Sequence, residues 1–451
     1  MHFFRKNQAG APSKLQWFIG LNLSSSARKL ECAALGVDAL RPNASVVLQK
    51  SVSFDIPDEI STTYLSVRRE LTLDYEKIHP VDASTGQPVV EPAGGRASKP
   101  QTSPSTLAKT ILLRNMIASI QEEALNEILS DDAIPRAEIL AVALNDPGFW
   151  LKSFDSEKQF SFLPISDAGL LAERSGLNVI DSFYAKDWTP TRSGNPFLLI
   201  PYWLLLNGGD RDKVVVDLGE RARWHYIPCG VKDKESWRRA FTVETSPCGS
   251  LLNLFARESS KGRSFIDVGG KLTVQGRRSQ ELLVYWQEFA STFKTSRNFS
   301  KYSPLASIPN ENDLFDSVNR FPGKVSSLDA LCTAAHWIAD SLDASLREHT
   351  EQVGASYDFI ITGAAKQNGL LFNRASQLLP PHSPRSLVDY GFLEDSFDAV
   401  AVAMLGILFM SNNSAIQSSL TSSPHDRLLG RLTPGSPEAW NRARAALAAN
   451  L

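Results

Sequence analysis

A short apolar segment followed by a glycine turn is the clearest candidate for ligand binding in this chain. Residues 358–362 are mostly apolar or β-branched, which predicts a buried strand, and Gly363 follows directly. After two alanines and two polar residues comes Asn368, and a helical pattern of apolar residues then begins. A strand, a small-residue turn and a helix allow backbone N–H groups to approach a phosphorylated ligand closely. The alternative is a tight strand-to-helix connection without a ligand.

Two further turns join predicted strands. The segments 16–20 and 30–37 predict two strands, and a serine-rich turn containing Ser24, Ser25 and Ser26 joins them. Residues 214–218 predict another strand, which ends at Gly219 and pairs with residues 224–227 as a hairpin. The serine hydroxyls either donate to phosphate or form a plain polar turn. Likewise, the charged residues 220, 221 and 223 either bind a ligand or form salt bridges at the end of the hairpin.

Alternating strands and helices must position these turns. Residues 45–54, 139–144 and 178–180 predict further strands; the second ends at the turn 145–148, and the third leads to Asp181 and then Asp187. Helices are predicted after Ser105, over 251–256 and 281–293, after Ser326, and over the apolar residues 399–410. Residues 81–105 are rich in Pro, Gly, Ser and Ala and predict a flexible surface insertion. This alternation is typical of α/β layering.

The composition narrows the possible functions. The chain has 451 residues, of which 43% are hydrophobic and 21% charged, and its net charge is −2. This predicts a globular protein of two or three domains and gives no support for a nucleic-acid surface. The four cysteines are widely spaced, so we expect reduced thiols and no metal site. The N-terminus lacks a signal-peptide pattern and no apolar run is long enough for a membrane, so we expect a cytoplasmic protein.

Several motifs, in order from about residue 18 to 440, resemble those of the anhydro-N-acetylmuramic acid kinase family. The segment VIDSFYAKDWTPTRSGNPFLLIPY resembles the family's central stretch and retains Phe183, Asp187, Gly194 and Pro196. The other matching segments are GGKLTVQG, GAAKQN with Gly363 and Asn368, DSFDAVAVAML with Asp395 and Asp398, and LLGRLTPG. Taken alone, Asp395 and Asp398 are more typical of charges favoured at a helix N-terminus.

The resemblance implies a fold and a domain arrangement. Members of this family belong to the actin, hexokinase and Hsp70 superfamily, so it implies a two-lobed, ribonuclease-H-like α/β fold with an inter-lobe cleft. The N-terminal lobe is expected over residues 15–205 with the insertion 81–105, and the C-terminal lobe over 211–440. The C-terminal helix is expected to pack back on the first lobe, and the resemblance also implies a homodimer.

The resemblance also implies an activity. Such an enzyme uses ATP with Mg²⁺ to open the ring of 1,6-anhydro-N-acetylmuramic acid and phosphorylate it at O6, in peptidoglycan recycling. Asp187 matches the catalytic base; a surface or capping role is the alternative. The expected ATP-binding residues are Gly20, Ser24, Ser25, Ser26, Arg28, Gly219, Gly363 and Asn368. The expected substrate-binding residues are Asn145, Phe183, Gly194 and Pro196.

The phosphate-binding turns depart from the family pattern. Arg28 stands where the family has a carboxylate, and two glycines of that turn are missing. Asn145 begins the turn where the family has a His-Gly pair, and two of the three glycines at Gly363 are alanines. A second hypothesis is therefore a catalytically inactive pseudokinase that binds a sugar or a protein partner. His225 and His336 lie in apolar patterns and are interpreted as core residues, so the sequence does not support a hydrolase.

Overall fold

The structure of the chain is a computed structural model. It describes residues 15–24, 27–40, 46–78, 104–153, 156–183, 198–230, 239–264, 266–295, 308–349, 353, 356–379, 383–415 and 427–449. Several predicted site residues therefore lie outside the described residues. These are Ser25, Ser26, Asp187, Gly194 and Pro196.

The described strands are numbered in chain order. They are β1 (Gln16–Leu23), β2 (Lys29–Val37), β3 (Val46–Asp55), β4 (Ile139–Asn145), β5 (Phe149–Ser153), β6 (Ser156–Leu163), β7 (Val179–Asp181), β8 (Asp212–Leu218), β9 (Arg221–Ile227), β10 (Phe241–Pro247), β11 (Tyr357–Thr362) and β12 (Arg431–Thr433). The α-helices follow the same convention. They are α1 (Asp58–Ile78), α2 (Pro104–Leu129), α3 (Ala168–Ser175), α4 (Leu199–Leu206), α5 (Gly249–Ser259), α6 (Gln280–Thr295), α7 (Glu311–Arg320), α8 (Ser327–Glu348), α9 (Gly369–Leu378), α10 (Phe397–Met410) and α11 (Pro437–Ala448).

The chain divides into two compact units. The first unit contains residues 4–190, 395–415 and 427–451, and the second contains 1–3, 191–394 and 416–426. The lobe boundary predicted from the sequence lies between 205 and 211. Each unit has its own apolar core, one around Trp17, Ile117 and Val142 and the other around Val216, Trp286 and Ile338.

The first unit contains a six-stranded mixed sheet of order β12-β7-β4-β1-β2-β3. Strands β1, β2 and β3 pair antiparallel, whereas β1, β4 and β7 run parallel. Helix α10 packs on β1, β2 and β4, and α11 contacts β4. Three antiparallel strands followed by parallel ones are the arrangement of the ribonuclease-H-like fold, which confirms the predicted class.

The second unit repeats the same arrangement with four strands. Its sheet has the order β10-β9-β8-β11, in which β8, β9 and β10 pair antiparallel and β8 is parallel to β11. Ser326 accepts a hydrogen bond from the backbone N–H of Asp329 and caps α8, as the sequence predicts. Within the described part of the chain, no helix is long and apolar enough to cross a membrane.

Candidate functional site

A small pocket with polar and apolar lining residues lies at the carboxyl end of the parallel strands in the first unit. Strands β4 and β7 end there, and α/β proteins often bind ligands at this edge of a sheet. The pocket contains both described residues that the sequence predicts to bind substrate, Asn145 and Phe183. It is lined by Leu144, Asn145, Asp146, Phe162, Pro164, Ser166, Asp181, Ser182 and Phe183.

Asp146 shapes the wall of this pocket. Its side chain accepts hydrogen bonds from the backbone N–H groups of Gly148 (2.7 Å) and Ser166 (2.6 Å). Burial raises the pKa of the Asp146 carboxyl to about 6, although these hydrogen bonds act in the opposite direction. Asp146 thus fixes the turn that follows β4 and holds Asn145 at the pocket edge.

The raised pKa of Asp146 predicts a pH-dependent term in stability. The native carboxyl keeps its proton up to about pH 6, whereas the unfolded one releases it near its ordinary value of 3.8. This contribution to stability is complete below about pH 4 and is lost as the pH rises towards about 6. A tenfold change in proton affinity is worth about 1.4 kcal/mol, so we expect a loss on the order of 2–3 kcal/mol.

Urea unfolding of the wild type and of Asp146→Asn, between about pH 4 and 7, measures this term. The free energy of unfolding of the wild type relative to the variant should fall by that amount as the pH rises. The exposed Asp132→Asn variant is the control and should follow the wild type at every pH. A difference between wild type and Asp146→Asn that does not change with pH would contradict the assignment.

Asp181 occupies the end of β7 and is held by an arginine. Arg431 donates from Nε (3.1 Å) and Nη2 (2.7 Å) to the two carboxylate oxygens of Asp181, which is 5% exposed. Such a two-pronged pair fixes both position and charge. The next residue, Ser182, has a left-handed backbone with φ of 61°. Asp181 therefore anchors the point from which the chain continues towards residue 187.

The serine-rich turn is held together by its own hydrogen bonds. Ser24 Oγ accepts from the backbone N–H groups of Arg28 (3.1 Å) and Lys29 (3.0 Å). Lys29 in turn forms an ion pair with Asp395 at 3.2 Å, which links the turn to the segment that precedes α10. These contacts of Ser24 agree with the plain polar turn, one of the two alternatives that the sequence analysis gave.

Gly20 has a packing explanation. A Cβ atom at this position would lie 1.9 Å from the carbonyl oxygen of Ala399 and 2.6 Å from the backbone nitrogen of Ala403. The missing side chain thus lets α10 approach β1 closely. The structure therefore places Gly20 against α10.

The two predicted phosphate turns of the second unit lie side by side. Gly363 has φ of 94° and ψ of 153°, and a Cβ atom there would lie 2.4 Å from the carbonyl carbon of Leu218. Gly219 follows Leu218 directly, and its carbonyl oxygen accepts from the backbone N–H of Gly249 at 2.9 Å. Because β8 and β11 are parallel, both turns stand at the same edge of the sheet.

Asn368 is committed to positioning this edge. Its Oδ1 accepts from the backbone N–H of Leu371 and caps α9, while its Nδ2 donates to Thr273 Oγ1 at 2.8 Å. Thr273 donates in turn to Asp267 at 2.5 Å. The network fastens the loop that contains Gly269 and Gly270 to the helix start.

The two arginines after Gly219 form ion pairs within the sheet. Arg221 binds Glu244, and Arg223 lies 3.1 Å from Asp217. Both arginines therefore form salt bridges, which is one of the two alternatives that the sequence analysis gave for them. His225 is buried beside Thr242, and burial holds its pKa well below the usual range, which agrees with a core histidine.

Three carboxyl residues at this end of the first unit had no assigned role in the sequence. They are Glu31, Asp146 and Asp181. Two sequence signals could have identified them. One is a glutamate inside the apolar segment LECAALGV, and the other is an acidic residue at the end of a predicted strand. In the described residues, no group of three or more His, Cys, Asp or Glu side chains could hold a metal ion.

Several known proteins are similar to this chain in sequence. A relative named anhydro-N-acetylmuramic acid kinase, from Rhodococcus erythropolis, is 24% identical over 280 residues, which cover 61% of this chain and 66% of the relative. Relatives of the same name from Xanthomonas axonopodis pv. citri and Shewanella sediminis are 24% and 23% identical, with 78% and 79% of their lengths covered and 69% of this chain in each case.

Solved structures that match this chain share little sequence with it. A ROK family glucokinase from Streptomyces griseus, in complex with glucose and AMPPNP, is 10% identical, with a TM-score of 0.31, and the match covers 86% of this chain and 97% of the glucokinase. The sequence profile of anhydro-N-acetylmuramic acid kinases matches residues 96–435, which is most of the chain. This chain therefore belongs to the anhydro-N-acetylmuramic acid kinase family.

Proposed function

We propose that this protein is an ATP-dependent kinase of 1,6-anhydro-N-acetylmuramic acid. The observation that carries the proposal is the pocket that brings Asn145 and Phe183 together at the end of β7. In the sequence, Asp187 follows this strand by six residues. Family membership supports the same substrate. In this proposal the pocket holds the sugar, and the paired turns at Gly219 and Gly363 hold the phosphates of MgATP.

The chemistry requires one base and a site for the phosphoryl group. A water molecule attacks C1 of the sugar and gives its proton to Asp187, while the bond between C1 and O6 breaks. O6 then bonds to the γ-phosphorus, and the bond to the β-phosphate oxygen breaks to release ADP. Backbone N–H groups of the turns at Gly219 and Gly363 would hold the phosphoryl oxygens, and Mg²⁺ bound with ATP would supply positive charge there. Peptidoglycan recycling in the cytoplasm, by a homodimer, belongs to the same proposal.

Mass spectrometry of the reaction products tests this proposal. The purified chain is incubated with ATP, Mg²⁺ and 1,6-anhydro-N-acetylmuramic acid, and a parallel sample lacks ATP. We expect a product that has gained the elements of both water and metaphosphate, only in the sample with ATP. If the sugar is recovered unchanged at the level of the blank, the chain is not a kinase of this sugar.

A pseudokinase is the second candidate, and specific contacts favour it. Ser24 Oγ accepts hydrogen bonds from its own turn, and Arg221 and Arg223 pair with carboxylates on the neighbouring strands β10 and β8. Arg28 also replaces the family's carboxylate. Calorimetric titration with MgATP separates the two candidates: an ATP-dependent kinase should bind the nucleotide with a dissociation constant near or below about 1 mM. A pseudokinase that does not bind nucleotide should release no binding heat in the same titration.

A further inference from the structure

Three polar side chains, two of them buried and one half-buried, form a row across the first sheet. Asn22 on β1 stands directly opposite Glu31 on β2 and Asn145 on β4. Directly paired positions place their Cβ atoms about 5 Å apart on the same face of a sheet. Asn22 and Asn145 are only 5% and 6% exposed, so their polar atoms depend on each other for hydrogen bonds.

The hydrogen bonds in this row all run the same way: each asparagine donates to the next residue towards Glu31. The backbone N–H of Ala399, in the first turn of α10, donates to Glu31 Oε2 at 3.3 Å. A backbone N–H can only donate, so this carboxyl oxygen is an acceptor. Asn22 donates its Nδ2 to the same atom at 3.4 Å, and Asn145 Nδ2 donates to Asn22 Oδ1 at 2.6 Å. The start of α10 thus sets the orientation of both amides.

The row ends on an acceptor at the pocket. Asn145 lines the pocket, and its Oδ1 is buried without a hydrogen-bond partner among the described residues. The carboxylates nearby already have hydrogen-bond partners. Asp146 accepts hydrogen bonds from two backbone N–H groups, and Asp181 accepts them from Arg431. A buried acceptor without a partner is energetically unfavourable, and a ligand that donates a hydrogen bond would remove this cost.

We propose that Glu31 is a positioning residue for the sugar pocket, because through Asn22 it holds the Asn145 amide with its carbonyl oxygen available to the ligand. The ligand group that this geometry selects is a hydrogen-bond donor, such as a sugar hydroxyl or the N–H of an acetamido group. The inference rests on the proposed function in one respect, namely that the pocket is the sugar site.

Glu31 acts in this row as an acceptor, so its charge is not required. Both hydrogen bonds that it accepts fall on a single oxygen, Oε2. Burial raises the pKa of its carboxyl well above the usual range, with the neighbouring Asp398 as a second cause. Glutamine at this position keeps an acceptor oxygen of the same reach, whereas leucine keeps only the volume.

Binding of 1,6-anhydro-N-acetylmuramic acid, measured by calorimetry without nucleotide, tests the proposal. We expect Glu31→Leu to weaken sugar binding roughly 5- to 100-fold, the range that loss of one such buried hydrogen bond gives. Glu31→Gln should restore binding to within about threefold of the wild type. Glu127→Leu, the same substitution at an exposed surface position, is the matched control and should bind as the wild type does.

The outcomes separate this inference from the proposed function. If Glu31→Leu keeps its melting temperature and binds the sugar as tightly as the wild type, the positioning role is wrong even when the kinase is active. If the wild type binds the sugar without phosphorylating it and the variants follow the predicted order, the inference stands without the kinase. If the wild type does not bind the sugar, both fall. Where Glu31→Leu fails to fold, Asn22→Leu breaks the same row and should show the same loss.

Discussion

Replacing Asp187 by asparagine is expected to lower the turnover of the anhydro sugar by about 10²–10⁴-fold, the usual effect of losing a general base. Asparagine has nearly the same size as aspartate but cannot take a proton from the attacking water. The residue follows the strand end that Arg431 anchors through Asp181, in the segment that resembles the family's central stretch. The measurement is the steady-state rate of sugar phosphate formation at saturating ATP.

Two further observations decide what the loss of rate means. The affinity for MgATP should change little in Asp187→Asn, because the substitution removes a group that acts on water and not on nucleotide. Asp132→Asn, an exposed substitution of the same kind in the same unit, should retain the wild-type rate. A rate for Asp187→Asn within threefold of the wild type would show that another group is the base.

Replacing Gly363 by alanine is expected to destabilise the second unit by roughly 2–5 kcal/mol and to abolish measurable nucleotide binding. The backbone at Gly363 has φ of 94° and ψ of 153°, a region that is essentially restricted to glycine. A Cβ atom would also lie 2.6 Å from both the backbone nitrogen of Leu218 and Asp217 Oδ1. Relief of this clash would separate the turn from Gly219, and both turns are proposed to hold phosphate.

Gly369→Ala is the matched control for this prediction. Gly369 begins α9 in the same unit, its φ is not positive, and the nearest atom to an added Cβ is a carbonyl oxygen 3.8 Å away. We expect this variant to be as stable as the wild type, or slightly more so. Urea unfolding and MgATP calorimetry of both variants make the comparison, and equal stability of the two would contradict the packing at Gly363.

The strands were predictable where burial is continuous. The segments of β1, β4 and β11 are apolar on both faces, as strands of a covered parallel sheet are, and the structure places strands at all three. Strand β10 was missed because its sequence FTVETSP is short, half-buried and largely polar. Helix α1 was missed because polar and charged residues outnumber the apolar ones that face the core.

The candidate site was predictable only in part, for a physical reason. The sequence indicated Asn145 and Phe183 through motif spacing, and the structure brings them to one pocket. The row through Glu31 depends on register, because a shift of one residue in either strand pair would turn these side chains to opposite faces. The role of Gly20 depends on a contact with α10, almost four hundred residues later in the chain, which no local pattern reveals.

Phosphorus NMR of one reaction mixture tests the central claim most directly. The wild-type chain, MgATP and 1,6-anhydro-N-acetylmuramic acid are followed over time in a single sample. A sugar kinase transfers the γ-phosphoryl group, so the ATP signals should decline while ADP and a new phosphomonoester signal grow in equal amounts. If the spectrum shows unchanged ATP, or ADP with inorganic phosphate alone, the chain does not phosphorylate this sugar.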